Sequence, residues 1–419
     1  MSGMFRSLRG YNYRVWAAGA LVSNVGTWMQ RIGQDWLVLT ELTHHNASAV
    51  GTVMALQFGP QVLLLPLTGY AADHFNRQKL LFTTQALMGI LALGLGMLTL
   101  SGIIQLWQVY VFALLLGCVT AFDAPARQTF FSELVSEEDL ANAVALNSTS
   151  FNAGRMIGPA VAGLLIAAVG TGWVFVLNAV SFGAVLCSLN FLRRHEFHVK
   201  EWARRSRGGL TEGFRYVWRR PDLRYVLLML FVFGTFGLNF AIYISTMTVS
   251  VFHAGAGRYG LLTSAMAIGT VIGALLAARR AKPSIGVLLV AATVFGSGLA
   301  LAALSPNYWL FAALLAVIGI SAQTFTTSTN SLVQLSTEPA MRGRVVAILL
   351  AIAMGGTPIG APIVGRVADT FGPRWALAVG AAAGFVAMLV GVRYLVKYHT
   401  LRVRIEAGRV RFSTQSKNV

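Results

Sequence analysis

Between residues 80 and 126 the chain carries one acidic residue, Asp123, and no Lys or Arg. About 20 apolar residues at ~1.5 Å rise per residue cross the ~30 Å hydrocarbon core of a bilayer. Similar stretches recur, and the whole chain is 56% hydrophobic and only 11% charged, against roughly 25% charged residues in a soluble domain. The sequence therefore predicts an integral membrane protein.

The apolar stretches predict an all-α membrane protein of about twelve transmembrane helices in two pseudo-symmetric six-helix bundles. The first six spans are predicted at residues 15–39, 48–72, 79–101, 105–127, 143–169 and 173–192. The second six are predicted at residues 224–251, 259–279, 284–304, 308–333, 345–370 and 374–396. We expect four regions: an N-terminal bundle (1–192), a cytoplasmic linker (193–223), a C-terminal bundle (224–397) and a basic cytoplasmic tail (398–419).

The linker is rich in Arg and Lys but also carries apolar side chains at helical spacing. Leu210, Phe214, Val217 and Trp218 recur at i, i+4, i+7 and i+8, which predicts an amphipathic helix on the inner membrane surface. The alternative is a disordered basic linker, in which Phe and Trp would serve no purpose. The tail has no such face, and we expect it to contact solvent or lipid headgroups.

The formal charge of +18 reflects membrane orientation. With both termini cytoplasmic, all but five of the 33 Lys and Arg residues lie on the cytoplasmic side, which is the positive-inside pattern. The five exceptions are Arg31, Arg155, Arg258, Arg366 and Arg374. This placement argues against a nucleic-acid partner and predicts a multi-pass protein of a bacterial inner membrane.

Three further features of the chain argue against a cleaved signal peptide, a disulfide-bonded protein and an enzyme. No cleavage site follows the first apolar run, so we expect the N-terminus to be retained. Cys118 and Cys187 lie inside predicted spans and act there as small apolar residues. The chain has no phosphate-binding glycine–lysine loop and no His or Cys metal spacing. We therefore expect no enzyme, no cofactor and no metal.

The two halves repeat each other. Three glycines of the fifth span return in the eleventh at an offset of 202 residues, and the same offset aligns glycines of the fourth and tenth spans. Duplicated halves related by an axis along the membrane normal hold a substrate site between them near the midplane. The matched pairs are Gly154 with Gly356, Gly158 with Gly360, Gly163 with Gly365, and Gly117 with Gly319.

The loop after the second span reads GYAADHFNRQK over residues 69–79. It resembles the signature of the major facilitator superfamily, which implies a secondary transporter with a latch at its inner gate. Ala71 stands where leucine is usual, His74 where arginine is usual, and Asn76 where a second glycine is usual. Because Asn tolerates the left-handed conformation, we expect the turn to be preserved. The predicted gating residues are Gly69, Asp73, Arg77, Lys79 and Arg127.

Span five contains GRMIGPAVAG over residues 154–163. It resembles the glycine–proline motif of antiporters in this superfamily, carried here by Gly154, Gly158, Pro159 and Gly163. Small residues allow close helix packing, and a proline removes one helical hydrogen bond. Tight packing without a gating role is the alternative interpretation.

Three more segments resemble the drug and proton antiporter group that includes macrolide and enterobactin exporters. They are LVSNVGTWMQ at 21–30, FDAPAR at 122–127 and EGFRY at 212–216. The resemblance covers nearly the whole chain. It implies efflux of a small molecule in exchange for protons.

Ionisable residues inside membrane spans are costly and indicate function. A proton-coupling acid must lie in the membrane interior, where burial favours its neutral form, near a basic group that opposes this effect. Asp35 with Arg31, and Asp123 with Arg127 or Arg155, meet this description, and Asp35 is the preferred proton carrier. Either pair could instead be a structural ion pair that orients helices. Polar candidates for the substrate cavity are Asn24, Gln30, Asn239, Gln323 and Asn330.

These features predict a proton-coupled exporter of a small apolar or amphipathic molecule such as a drug, a siderophore or a metabolite. Its partners would be the substrate, protons and membrane lipid, and the protein would be a monomer. A nutrient importer or facilitator of the same fold is one alternative. A membrane sensor or scaffold that transports nothing is the other.

Overall fold

The computed structural model describes residues 3–65, 67–68, 71, 75–198, 210–279, 283–406 and 409–416. Long α-helices account for most of this range. The first half contains α1 Tyr11–Trp36, α2 Ala47–Leu63, α3 Arg77–Leu100, α4 Leu106–Glu133, α5 Leu140–Val169 and α6 Thr171–Asn190. The second half contains α7 Leu210–Arg219, α8 Pro221–Val232, α9 Phe240–Thr246, α10 Ala256–Ala278, α11 Ile285–Ala303, α12 Tyr308–Ser336, α13 Pro339–Phe371 and α14 Pro373–Tyr398.

Short helical turns extend several of these helices. Single 3₁₀ segments lie at Gly3–Arg9, Glu137–Asp139 and Arg194–Glu196. Wider π-helical segments lie at Leu37–Leu42, Phe233–Gly237 and Met247–Val251. Phe233–Gly237 follows α8 and Met247–Val251 follows α9, so that these segments form one apolar run, Pro221–Val251.

Within the described residues, ten helical segments are long and apolar enough to cross a membrane. They are α3, α4, α5, α6, the run Pro221–Val251, and α10 to α14. The protein is therefore a multi-pass membrane protein, as predicted. A count of twelve requires α1 and the 17-residue α2 as well, and that count stays a prediction.

The bundle has two distinct ends. The hairpin end carries short connections between antiparallel neighbours, such as the single residue Gly170 between α5 and α6 and Gly372 between α13 and α14. Both glycines have positive φ angles, +90° and +101°, which side chains rarely adopt. The terminal end carries the start of α1, the linker helix α7 and the end of α14.

Each half packs mainly on itself. In the first half α1 packs on α5 and α6, and α3 packs on α4 and α6. In the second half α12 packs on α10 and α11, and α11 packs on α14. Between the halves, the most extensive contacts join α2 to α13 and α5 to α10. These two contact lines frame the space at the centre of the molecule.

The linker forms the predicted short helix, α7, against the second half. Val217 is buried, whereas Phe214 and Trp218 are 59% and 72% exposed. Glu212 pairs with Arg344 of α13 at 2.7 Å, which fixes α7 to the terminal end. The predicted apolar face is thus divided, with Val217 in the protein core and the two aromatic rings exposed.

The C-terminal tail has structure that the sequence analysis does not predict. Strand β1, His399–Glu406, pairs antiparallel with β2, Arg409–Ser416. The membrane region is all-helical as predicted, and this two-stranded hairpin follows its last helix.

Candidate functional site

A cavity of about 190 Å³ lies between the two halves. Its walls come from α1, α2 and α5 on one side and from residues 238–267 and Thr357 of α13 on the other. Aromatic and aliphatic side chains form most of the lining, with few charged groups among them. The lining includes Trp28, Arg31, Asp35, Phe58, Arg155 and Tyr259.

Two arginines share the cavity with one tryptophan. The guanidinium carbon of Arg31 lies 4.7 Å from the ring centroid of Trp28, and that of Arg155 lies 5.5 Å from it. Arg31 also lies 5.4 Å from the ring of Phe58. Such distances allow cation–π attraction, which strengthens when the charge is partly desolvated. The cavity therefore holds two cations on aromatic faces.

Asp35 lies one helical turn beyond Arg31 and is 9% exposed. Among the described residues no ion pair within 4.0 Å joins the two, although their spacing on α1 would permit one. The Asp35 carboxylate instead accepts a hydrogen bond from the Tyr259 hydroxyl at 3.1 Å. The Tyr259 ring stacks on Trp36, with centroids 6.0 Å apart. The acid is thus held by a residue of the opposite half.

The glycine–proline motif of α5 contacts two different helices. A Cβ on Gly158 would lie 2.6 Å from the Trp28 side chain, so this glycine packs α5 on α1 within the first half. Gly154 makes a similar contact with Asn24. Gly163 faces α10, where a Cβ would lie 2.6 Å from the Ala256 carbonyl oxygen.

The seam between α5 and α10 has a counterpart between α2 and α13. Gly260 packs against the carbonyl of Pro159, and Gly51 packs against the carbonyl of Ala361. A Cβ on Gly365 would lie 2.6 Å from the carbonyl oxygen of Ala47. This matches the 2.6 Å distance between a Cβ on Gly163 and the carbonyl oxygen of Ala256. The two α13 residues in these contacts lie 202 positions after the two α5 residues, as in the glycine repeat. The two α10 residues lie 209 positions after the two α2 residues, so the two seams are equivalent in the two halves. Backbones meet at both seams because glycine leaves no side chain between them.

Both seams lie toward the hairpin end. Farther along α2, a Cβ on Gly59 would have no described atom of another element within 4 Å, and Val62 lies 3.9 Å from the Cβ position of Gly355. On α5, Val144 and Phe151 are 45% and 49% exposed. The halves therefore close the cavity at the hairpin end and diverge toward the terminal end.

A carboxylate reinforces the α2–α13 seam. Asp369, near the end of α13, accepts hydrogen bonds from the backbone N–H groups of Ala47 at 2.6 Å and Ser48 at 2.8 Å. The Ser48 hydroxyl donates to it as well. The first N–H groups of a helix have no partner within it and carry partial positive charge, so an acid there is stabilising.

Asp123 occupies a different environment from Asp35. It is 4% exposed and accepts hydrogen bonds from Thr84 at 2.8 Å and Gln85 at 2.6 Å, both on α3. Arg127 donates two further bonds at 3.1 Å. The structure places Asp123 in a paired network inside the first half, away from the cavity wall.

The predicted gating loop is described in part. Gly69 and Asp73 lie outside the described residues. Arg77 forms an ion pair with Glu133 at the end of α4, and the side chain of Lys79 is exposed. Asn76 does not adopt the left-handed conformation that a glycine would supply: its φ is −62°, and its side chain accepts a hydrogen bond from the N–H of Lys79. Asn76 is therefore the N-cap of α3, and its side chain makes a hydrogen bond that a glycine at this position could not make. Residues 72–74 lie outside the described residues, so preservation of the turn stays a prediction.

None of the five polar candidates lines the cavity in this conformation. Their side chains instead form hydrogen bonds within their own half. Gln30 accepts from Asn178, Asn24 donates to Ser150 at 3.0 Å, Asn239 donates to the carbonyl of Thr235 at 2.8 Å, Gln323 donates to Thr327 at 3.0 Å, and Asn330 accepts from Gln334 at 2.7 Å.

The sequence analysis did not identify Trp28, Phe58 or Tyr259 as site residues. Each is an aromatic residue in an apolar span, and nothing in its local pattern distinguishes it from a core or lipid-facing ring. Only the packing of the two halves brings them together. Asp369 was identifiable as a lone acid near the end of a span, although its partner on α2 was not.

The model of a family described as transmembrane secretion effector matches residues 2–407. The staphyloferrin A transporter of Staphylococcus aureus is 27% identical over 83% of this chain and 87% of its own length. The enterobactin exporter EntS of Shigella flexneri is 26% identical over 87% of each chain. The multidrug efflux pump Tap of Mycolicibacterium fortuitum is 26% identical over 84% of this chain and 88% of its own length.

Solved structures with the same fold are also transporters. The nucleoside transporter NupG superposes with a TM-score of 0.72 at 12% identity, covering 92% of this chain and 99% of its own. A bacterial homologue of the human lysosomal transporter Spinster superposes with a TM-score of 0.64 at 17% identity, covering 92% and 95%. At these identities the likeness shows the fold alone.

Proposed function

Because the chain belongs to the transmembrane secretion effector family of major facilitator transporters, we propose that it exports a small amphipathic molecule in exchange for protons. The two halves would rock about the central cavity, exposing it to each side of the membrane in turn. Its membership of a family of membrane transporters means that the protein is not an enzyme.

One observation carries this proposal. A cavity between the halves contains a buried carboxylate, Asp35, and two glycine seams close it at the hairpin end. Seams of bare backbone can separate without dismantling a side-chain core. An acid that bonds across the halves can link its protonation to their separation.

The orientation follows from the distribution of basic residues. Arg and Lys cluster at the terminal end, so this end faces the cytoplasm by the positive-inside rule. We place the protein in a bacterial inner membrane with both termini cytoplasmic. In this orientation the cavity diverges toward the cytoplasm, the side from which an exporter loads its substrate.

The cavity lining favours an uncharged or anionic substrate over a cationic one. Arg31 and Arg155 outnumber Asp35, and their charges would repel a cation in a site with little water. Trp28 and Phe58 offer flat apolar faces for a ring system. Enterobactin, staphyloferrin A and drugs are carried by the named relatives, and a siderophore or a drug is the first class to test.

We assign the transported proton to Asp35. When the cavity faces outward, Asp35 takes up a proton. When the cavity faces inward, the acid releases the proton, accepts the Tyr259 hydrogen bond and lies within reach of the positive charge of Arg31. Substrate then binds, and the loaded carrier returns outward. Asp123 keeps its ion pair throughout this cycle.

Everted inner-membrane vesicles test the proposal directly. Vesicles from cells with and without the protein would be energised by respiration and offered radiolabelled enterobactin, staphyloferrin A and a panel of uncharged and anionic drugs. Expression-dependent uptake that a protonophore abolishes supports export. Uptake only by right-side-out vesicles would favour an importer, and no movement of any compound in either orientation would favour a sensor.

An arginine variant tests the substrate class. Arg155→Gln removes one cavity cation and should impair transport of anionic compounds more than that of uncharged ones. Arg258→Gln is the matched control, because Arg258 is exposed at the hairpin end beside Tyr308 and does not line the cavity. Equal effects of Arg155→Gln on both classes would argue against an anion-selective cavity.

A further inference from the structure

Among the residues that the structure describes, one hydroxyl group connects the buried acid of the first half to the second half. Tyr259, near the start of α10, is 1% exposed and donates to Asp35 at 3.1 Å. The rest of its ring stacks on Trp36, the residue after Asp35. One side chain of the second half therefore contacts both the acid and the end of the helix that carries it.

This contact lies beside the seam that must open. The next residue, Gly260, packs against the carbonyl of Pro159 on α5, and a Cβ there would also lie 3.2 Å from the Cα of Gly163. When the hairpin end opens, α10 withdraws from α5 and the first half. Tyr259 moves with α10, so opening breaks its hydrogen bond to Asp35.

The strength of this bond depends on whether Asp35 is ionised. A hydrogen bond to a carboxylate is roughly twice as strong as one between neutral groups. The charged groups that face Asp35 are Arg31 on its own helix and Arg155 on α5 across the cavity, and Tyr259 is the titratable group that faces it from α10. Because an arginine side chain is not deprotonated in proteins, the change in the strength of the bond comes from Asp35 itself.

We propose that Tyr259 is a coupling residue, which holds the hairpin end closed while Asp35 is ionised and the cavity is empty. The proposal rests on the exporter function proposed above and deepens it. Protonation weakens the bond and lets the empty, protonated carrier change conformation. Without a proton or substrate the carrier stays closed at the hairpin end, so protons do not cross without exchange.

Substitution of Tyr259 by Phe tests this role. The variant keeps the ring on Trp36 and removes one oxygen atom. Purified protein would be reconstituted into liposomes containing a trapped pH-sensitive dye, and the decay of an imposed pH gradient would be recorded without substrate. We expect Tyr259→Phe to increase protein-dependent proton leak by roughly tenfold over wild type, the scale of one charge-assisted hydrogen bond.

The control variant is Tyr308→Phe. The Tyr308 hydroxyl donates to the carbonyl of Arg258 at 2.9 Å, and both residues belong to the second half. Loss of this bond should leave the leak at the wild-type level. The double variant Asp35→Asn/Tyr259→Phe should also return to that level, because the leak requires an acid that titrates. Wild-type leak in Tyr259→Phe would overturn the proposal.

A second measurement needs no transport. Spin labels at Val169 and Arg258, in a protein with Cys118 and Cys187 replaced by serine, report the α5–α10 distance. In wild type the population with a long distance should grow on acidification, whereas in Tyr259→Phe it should be large at every pH. A pH response in the variant equal to that of wild type would contradict the role of Tyr259.

Failure of this inference is distinguishable from failure of the proposed function. If substrate-driven proton flux disappears in Asp35→Asn but Tyr259→Phe behaves as wild type, only the role of Tyr259 is wrong. If Asp35→Asn keeps the wild-type flux, Asp35 is not the proton carrier, and the role of Tyr259, which depends on Asp35, is wrong too.

Discussion

The carboxylate of Asp369 in the second half accepts a hydrogen bond from the backbone N–H of Ser48 at 2.8 Å, at the first turn of a helix in the first half. The same carboxylate accepts a second hydrogen bond from the backbone N–H of Ala47 at 2.6 Å. The hairpin end is therefore closed by a charged contact along α2–α13. By the repeat offset of 202, the corresponding residue on α5 is Ala167, which cannot make this contact.

We predict that Asp369→Asn shifts the protein toward the state that is open at the hairpin end. An acid near a helix N-terminus contributes up to about 1 kcal/mol at an exposed site, so the population should shift about threefold to fivefold. Distances between spin labels at His45 and Phe371 would measure it.

Thr370→Val is the control for this shift. The Thr370 hydroxyl donates to the backbone carbonyl of Arg366 in the same helix at 2.8 Å. Loss of this bond should leave the distances between the spin labels unchanged. Equal distance distributions for wild type and Asp369→Asn would show that the carboxylate does not hold the seam closed.

Two glycines on α10 should respond differently to substitution by alanine. Gly260 contacts the first half at Pro159, whereas Gly269 contacts Ala316 of α12 inside the second half. We expect Gly260→Ala to open the α5–α10 seam with little loss of thermal stability, because the halves must already separate during transport. Gly269→Ala should lower the melting temperature, since its neighbour cannot move away.

Cysteine accessibility at the hairpin end and thermal unfolding in detergent would separate these effects. A lower melting temperature for Gly260→Ala without increased accessibility would mean that the seam belongs to a rigid core.

Asp123→Asn should weaken the protein without removing its coupling. The asparagine keeps an acceptor for Thr84 and Gln85 but loses the charge that pairs with Arg127. Breaking a buried ion pair destabilises a protein by a few kcal/mol, on the order of 3. We expect a lower melting temperature and unchanged protons per substrate in the molecules that remain folded. A normal melting temperature with lost proton flux would identify Asp123 as the carrier.

The fold was largely predictable because its signals are local. Apolar runs, short hairpins and the glycine repeat at an offset of 202 indicate two similar helical halves without any knowledge of contacts. The spacing of Arg127 from Asp123 also predicts a pair on one helix face, and that pair is present.

The site was less predictable because its defining contacts join distant parts of the chain. Arg31 and Asp35 have the same four-residue spacing as the pair on α4, yet Asp35 bonds to Tyr259 across the cavity. Asn76 shows a related limit, since the same residue type suits a left-handed turn and an N-cap, and its neighbours decide between them. The C-terminal hairpin does carry a local signal, because Leu401, Val403 and Ile405 alternate with charged residues before Gly408, and the sequence analysis did not use it.

Substrate-driven proton flux in proteoliposomes shows whether Asp35 carries the transported proton. Wild type, Asp35→Asn and Asp123→Asn would be reconstituted at equal density, with a trapped pH dye and the substrate found in the vesicle screen. We expect Asp35→Asn to lose the flux and Asp123→Asn to retain it per folded molecule. Wild-type proton stoichiometry in Asp35→Asn would mean that Asp35 does not carry the proton.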